Sequence, residues 1–270
     1  MALAGCQARG EAPAGEAVTP VREAAAVRED EATPVEAGSR MVLVELFSSQ
    51  GCSSCPAADA VLGRLPALGL GADEVVALTY HVTYWDDLGW RDPFGSARYD
   101  ERQAEYVAAQ VPGHDGEAAR GSYTPQMIVD GRVHFPGSDA RALVQRVAEA
   151  RARAQPVALT ACTRANGPAI AVEVQARWRG ISARLEVFAA LAQREVETAV
   201  PRGENAGRRL TEYAVVRDMA GPQPLTTEPA RLELRTPDGV AAAELEVVVF
   251  ARSLTTRGIV AVTRAPACAG

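Results

Sequence analysis

The sequence predicts an α/β domain over residues 41–155, then a smaller all-β, antiparallel sandwich-like domain over residues 156–270. Residues 1–40 are expected to form a tether ahead of both. Three observations carry this reading. Strand-like and helix-like patterns alternate between Val42 and Ala154. From Val157 onward short apolar runs recur between turn residues, with no amphipathic helix among them. The composition changes sharply at Met41, where an Ala, Glu, Pro, Gly and Val mixture without aromatics gives way to apolar runs.

Composition removes several chemistries. The chain has 270 residues and a formal charge of −6, so no nucleic-acid affinity is expected. All of its basic residues are Arg, which excludes a Lys Schiff base, a phosphate-loop lysine and a Lys general base. Three His (His81, His114 and His134) are too scattered for a His-rich metal cluster, and neither metal nor cofactor is expected. No apolar run reaches the roughly 18 residues of a membrane-spanning helix.

The five Cys are more informative. Leu3-Ala4-Gly5-Cys6 resembles the lipobox of bacterial lipoproteins, which implies lipidation at Cys6 and a periplasmic or other extracytoplasmic location. The lipid would be the chain's only membrane contact. Cys52 and Cys55 form a CxxC. Cys162 and Cys268 are expected to form a structural disulfide between the first and last strands of the β-rich half, which suits an oxidising compartment.

Met41–Phe47 reads as a strand covered on both faces and interrupted by one acid, Glu45. A turn at Ser48–Gly51 leads into Cys52-Ser53-Ser54-Cys55-Pro56 and an apolar helical pattern that stops at Pro66. The CxxC therefore lies where a strand hands over to a helix, whose N-terminal N–H groups favour a thiolate on Cys52. Val75–Val82 is a second strand. An aromatic, acidic loop from Tyr84 to Phe94 and an amphipathic helix near residues 96–110 follow. Thr124-Pro125 leads into Met127–Val129, Asp130-Gly131 is a hairpin turn, and Arg132–Phe135 returns. Asp139 closes a Gly-Ser-Asp cap on a helix running to about Ala154.

These two motifs, the CxxC after a strand and Thr124-Pro125 before a strand, resemble the thioredoxin-like fold. The resemblance implies a cis Thr124–Pro125 bond packed against the cysteines, and a buried acid, here Glu45, that relays the proton of the inner thiol. More narrowly, Glu45–Pro56, His81–Asp86 and Arg202–Arg208 are similar to a bacterial secreted family catalogued as domain of unknown function 1223.

The residues leave alternatives open. Cys52 attacking and Cys55 resolving would make the protein a thiol–disulfide oxidoreductase in the reductase or isomerase direction. Its partners would be protein thiols or disulfides and a membrane redox protein. An inert disulfide would instead fit a binding or assembly protein whose contacts come from the β-rich half. A metal site would need His81 as a further ligand. Glu45 either relays protons or pairs with an Arg. Ser53, Ser54, Trp85, Asp86 and His81 are candidates for a substrate cleft, with Trp90 beside them; alternatively Trp85, Asp86 and Trp90 pin the inserted loop, and His81 is a hydrogen-bonded core histidine. Arg202–Arg208 reads as a hairpin needing positive φ, or as a partner or ligand contact.

Overall fold

The computed structural model describes residues 40–178 and 184–269. The expected lipidation site Cys6 lies outside them, as does all of the expected tether except Arg40. That residue is buried and ion-paired with Asp130.

The first half runs β1 (Val42–Ser48), α1 (Cys55–Leu62), β2 (Val75–His81), α2 (Ala97–Ala108), β3 (Gln126–Val129), β4 (Val133–Pro136) and α3 (Ala140–Arg151). Asp139 caps α3, its carboxylate accepting the Ala142 N–H at 2.9 Å. Asp130 and Gly131 take φ of 50° and 62°, the positive values of the tight turn within the three-residue hairpin loop, residues 130–132, between β3 and β4. The second half runs β5 (Val157–Asn166), β6 (Ala169–Trp178), β7 (Leu185–Val200), β8 (Arg208–Leu225), β9 (Ala230–Arg235), β10 (Leu245–Ser253) and β11 (Ile259–Arg264).

The expectation of an α/β thioredoxin-like domain followed by a separate small β-domain is wrong. The molecule is mostly β, and one mixed eight-stranded sheet runs through both halves in the order β11-β10-β7-β8-β2-β1-β3-β4. The halves meet where β2 pairs in parallel with β8 at Thr79 and Val215, a junction closed by the Thr79 hydroxyl donating to the Tyr213 carbonyl at 2.7 Å. Among the described residues, β5, β6 and β9 form a second, three-stranded sheet.

The reason lies in strands apolar on both faces. In β7, Val187, Ala189 and Leu191 face the three-stranded sheet, whereas Phe188, Ala190 and Ala192 face the other way. There they join a core with Leu43, Phe47, Leu78 and Tyr80 of β1 and β2, and with Tyr99 and Tyr106 of α2. β10 behaves alike: Val247, Val249 and Ala251 pack one way, Val248 and Phe250 the other. A two-layer sandwich covers each strand on one face only, so these residues need a third layer, and α2 with the first-half strands supplies it. On the far side of β1 and β3, Val42, Val44, Leu46 and Met127 pack against α1 and α3 through Val61, Leu62, Leu143 and Val147.

One element extends beyond the apolar run that announces it, and its partner has no such run. β7 continues to Val200, and β8 pairs with it from Arg208 to Leu225, making a long antiparallel hairpin. Register shifts opposite Val187–Ala189 and Leu191–Ala192 break the alternation along β8. The hairpin arm folds back over α1, and its tip reaches the CxxC.

Candidate functional site

β1 ends at Ser48, and the chain turns through Ser49–Ser54 into α1. Cys52 N donates to the Ser49 carbonyl at 3.1 Å and Cys55 N to the Cys52 carbonyl at 3.2 Å. Cys52 and Cys55 are joined as a disulfide with Cα atoms 5.4 Å apart, and both are fully buried. Ser53 and Ser54 are exposed, and the Ser54 hydroxyl lies 3.4 Å from the Cys52 sulfur. Pro56 occupies the first turn of α1, where a missing N–H costs nothing.

The Thr124–Pro125 bond is cis, Pro125 is buried, and its carbonyl accepts the Gly137 N–H at 2.9 Å. Trp85 Nε1 donates to the Thr124 hydroxyl at 2.8 Å, so the aromatic loop is tied to this segment. The same loop crowds the CxxC turn, where a Cβ on Gly51 would stand 2.9 Å from that of Trp85. Asp86 serves within the loop, accepting the Asp92 N–H at 3.1 Å. Trp85 and Asp86 thus anchor the loop.

Glu45 is fully buried and is held by Arg102 at 2.7 Å and by the Tyr106 hydroxyl at 2.5 Å. The Arg102 guanidinium lies among the Tyr80, Phe188 and Phe250 rings at 5.4, 5.2 and 4.9 Å from their centroids. Glu45 therefore takes the Arg-paired role, deep in the core and away from any sheet edge.

A different carboxyl shares α1 with Cys55. Asp59 lies on α1 four residues after Cys55, hence on the same helix face one turn on, and is buried. Its Oδ1 has no hydrogen-bond partner among the described residues. Burial pushes its carboxyl up to about 7, against the pull of His81. Around it lies a buried polar cluster from four elements. His81 at the end of β2 places Nδ1 2.7 Å from Asp92 and Nε2 3.7 Å from Glu212 of β8. Burial alone would lower the His81 pKa, but the charge and hydrogen bond of Asp92, with Glu212 and Asp59 behind it, raise it to about 9. Burial would raise Asp92, yet His81 holds it below the usual range; burial does raise Glu212. Gln50 knits the cluster to the CxxC turn. Its N–H donates to Asp92 at 2.8 Å, its Nε2 to Glu212 at 2.7 Å, and its Oε1 accepts from Trp90 Nε1 at 2.9 Å.

The hairpin tip completes the site. Asn205, fully buried, donates from Nδ2 to the carbonyls of Gln50 at 2.9 Å and Cys52 at 3.0 Å. Glu204 accepts the Ser53 N–H at 3.0 Å. Gly203 and Gly207 take φ of 78°, so Arg202–Arg208 is a turn with positive φ and also a contact, made to the chain's own CxxC. Asp59, Asp92, Gln50 and Glu212 escaped the sequence reading, whereas Asn205 lies in the Arg202–Arg208 stretch that it singled out. Of the four, Asp59 had a local signal, an acid on the apolar face of α1. Elsewhere, Cys162 of β5 and Cys268 form the second disulfide, with Cα atoms 4.8 Å apart. A cavity of about 700 Å³ opens between the two sheets near Thr163, Ile170 and Val247 and shares no residue with the cysteine site.

A sequence model of the family described as "Protein of unknown function (DUF1223)" matches residues 43–252, more than three-quarters of the chain. The chain belongs to the DUF1223 family. Among curated proteins, none matches it. Of solved structures, protein AGR_C_4864 of Agrobacterium tumefaciens is 26% identical, with a TM-score of 0.60, over 86% of this DUF1223 chain and 96% of its own. HBP35 of Porphyromonas gingivalis gives the same TM-score at 12% identity, over 86% of this chain and 78% of its own, a likeness of fold alone.

Proposed function

We propose that this DUF1223 protein is an extracytoplasmic thiol–disulfide oxidoreductase that works through Cys52 and Cys55. The observation that supports this above all is Asp59, a buried acid titrating near 7 one helical turn beyond Cys55. A thiol that must lose its proton inside a dry pocket needs such an acceptor.

In the reducing direction the Cys52 thiolate attacks a sulfur of a substrate disulfide. A Cys52–substrate bond forms, and the other substrate sulfur leaves as a thiolate. The Cys55 thiol then passes its proton to the Asp59 carboxylate, and the Cys55 sulfur attacks Cys52. The mixed disulfide breaks, the second substrate sulfur leaves, and two electrons have passed from the cysteine pair to the substrate. A membrane thiol donor would return the pair to its reduced form. Two disulfides suit an oxidising compartment, and Cys6 would supply the lipid anchor.

The full burial of Cys52 favours a second reading, in which the pair is an inert brace within a binding or assembly protein. Expression of Cys55→Ser in its native host separates the two. An oxidoreductase accumulates mixed disulfides between Cys52 and client proteins, which Cys52→Ser abolishes. An inert brace yields none.

A further inference from the structure

We propose that Glu204 and Asn205, at the tip of the β7–β8 hairpin, are positioning residues that set the reactivity of Cys52. This rests on the oxidoreductase reading and adds to it a control element contributed by the β-rich half of the chain.

The hairpin grips the CxxC turn at three main-chain groups, those of Gln50, Cys52 and Ser53. Asn205 donates to the Gln50 and Cys52 carbonyls, and Glu204 accepts the N–H of Ser53, the residue after the attacking cysteine. Asn205 is itself fixed by Arg208, whose guanidinium donates to its Oδ1 at 2.6 Å. The tip rests on the aromatic loop: a Cβ on Gly203 would stand 3.2 Å from that of Trp90. Both Asn205 donors are spent on main-chain carbonyls, so the side chain fixes the loop that carries Cys52.

Glu204 acts through charge. Donation from Ser53 holds its carboxyl below the usual range, so it is ionised at neutral pH. It takes up an N–H at the N-terminal end of α1, where unpaired donors would otherwise favour a Cys52 thiolate. An anion there disfavours the thiolate, and with it the dithiol form, so the pair is kept more reducing.

The test equilibrates the full chain with glutathione buffers, in which the Cys52–Cys55 disulfide and two glutathiones give the dithiol and one glutathione disulfide. Glu204→Gln should shift that equilibrium about threefold toward the dithiol, the size expected of one solvent-facing charge. Glu197→Gln, which removes an exposed charge farther along the arm, should leave it unchanged. Reduced Asn205→Ala, or Asn205→Ser if the first variant does not fold, should react with iodoacetamide at Cys52 about tenfold faster, because two hydrogen bonds no longer close the loop. Wild-type behaviour in both the Glu204 and Asn205 variants overturns the proposal while leaving the oxidoreductase reading intact. A wild-type pair that neither glutathione nor dithiothreitol reduces overturns that reading, and this proposal with it.

Discussion

Replacing Asp59 by Asn should change how stability depends on pH, by an amount set by its burial. Its carboxyl titrates near 7 instead of its ordinary 3.8. Below the ordinary value the acid is protonated in both folded and unfolded chains. Between the two values the unfolded chain releases its proton while the folded chain keeps it, so stability falls as pH rises. The loss is complete once the pH has passed the folded value. At about 1.4 kcal/mol per unit, the whole loss is about 4 kcal/mol, of which about 3 kcal/mol falls between roughly pH 4.5 and pH 7.5. Asn carries no charge at any pH and removes this slope. The stability of Asp59→Asn relative to wild type should therefore climb by about 3 kcal/mol across that window. His81 has its own slope, its contribution being present below 6.5 and lost as pH rises through about 9. It is common to both proteins and largely cancels, Asp59 being the smallest of the charges that raise it. Urea unfolding followed by circular dichroism at several pH values measures the difference. A difference flat to within about 0.5 kcal/mol would mean that Asp59 ionises like a surface carboxylate, and the proton-acceptor argument would fall with it.

Three further substitutions probe the frame around the site. Arg102→Met strips the buried Glu45 of its cation and should cost about 3–5 kcal/mol in urea unfolding, much of it recovered when Glu45→Gln is added. Replacing Cys162 and Cys268 by Ser opens a link between residues 106 apart and should cost about 4.7 kcal/mol through the entropy of closing so long a loop, read as a drop in denaturation midpoint. Gly63→Ala would set a Cβ 2.4 Å from the Tyr213 ring and push β8 away from α1, at about 1–3 kcal/mol in the same assay. Adding Tyr213→Leu should relieve that cost.

Much of the first half was legible because its signals are local. A Pro after the second Cys, an Asp-Gly turn and an Asp cap each act within a few residues, and each element they mark formed near its expected place. The division of the chain was not legible in the same way. Leu185–Leu191 and Leu245–Ala251 fit strands of a sandwich as short apolar runs, yet the stretches Val187–Leu191 and Val247–Ala251 within them are apolar at every position, which implies cover on both faces. β8 was missed outright. Its alternation is broken by two register shifts and by Ala214 at a φ of 53°, and its buried Glu212 looks like a surface residue until His81 and Gln50 stand beside it. Glu45 shows the same limit in reverse. A lone acid in a buried strand signals that a partner exists, but whether that partner is a thiol's proton or Arg102 depends on a helix more than fifty residues away.

The single sheet explains why the β-rich half belongs to the cysteine site at all. Had the halves been separate domains, β8 would have had no reason to lie beside β2, and Glu212 could not approach His81. Pairing at Thr79 and Val215 fixes β8 against the end of β2, and from that point the hairpin runs on past α1 to the CxxC. One strand thus delivers a buried carboxyl to Gln50 and His81, while the turn before it delivers two polar side chains to the main chain of the CxxC turn. A CxxC turn standing alone at the edge of a small α/β sheet would leave the Gln50 and Ser53 main-chain groups to water. Here the second half of the chain satisfies them, so part of the packing around Cys52 is built from residues more than 150 positions away.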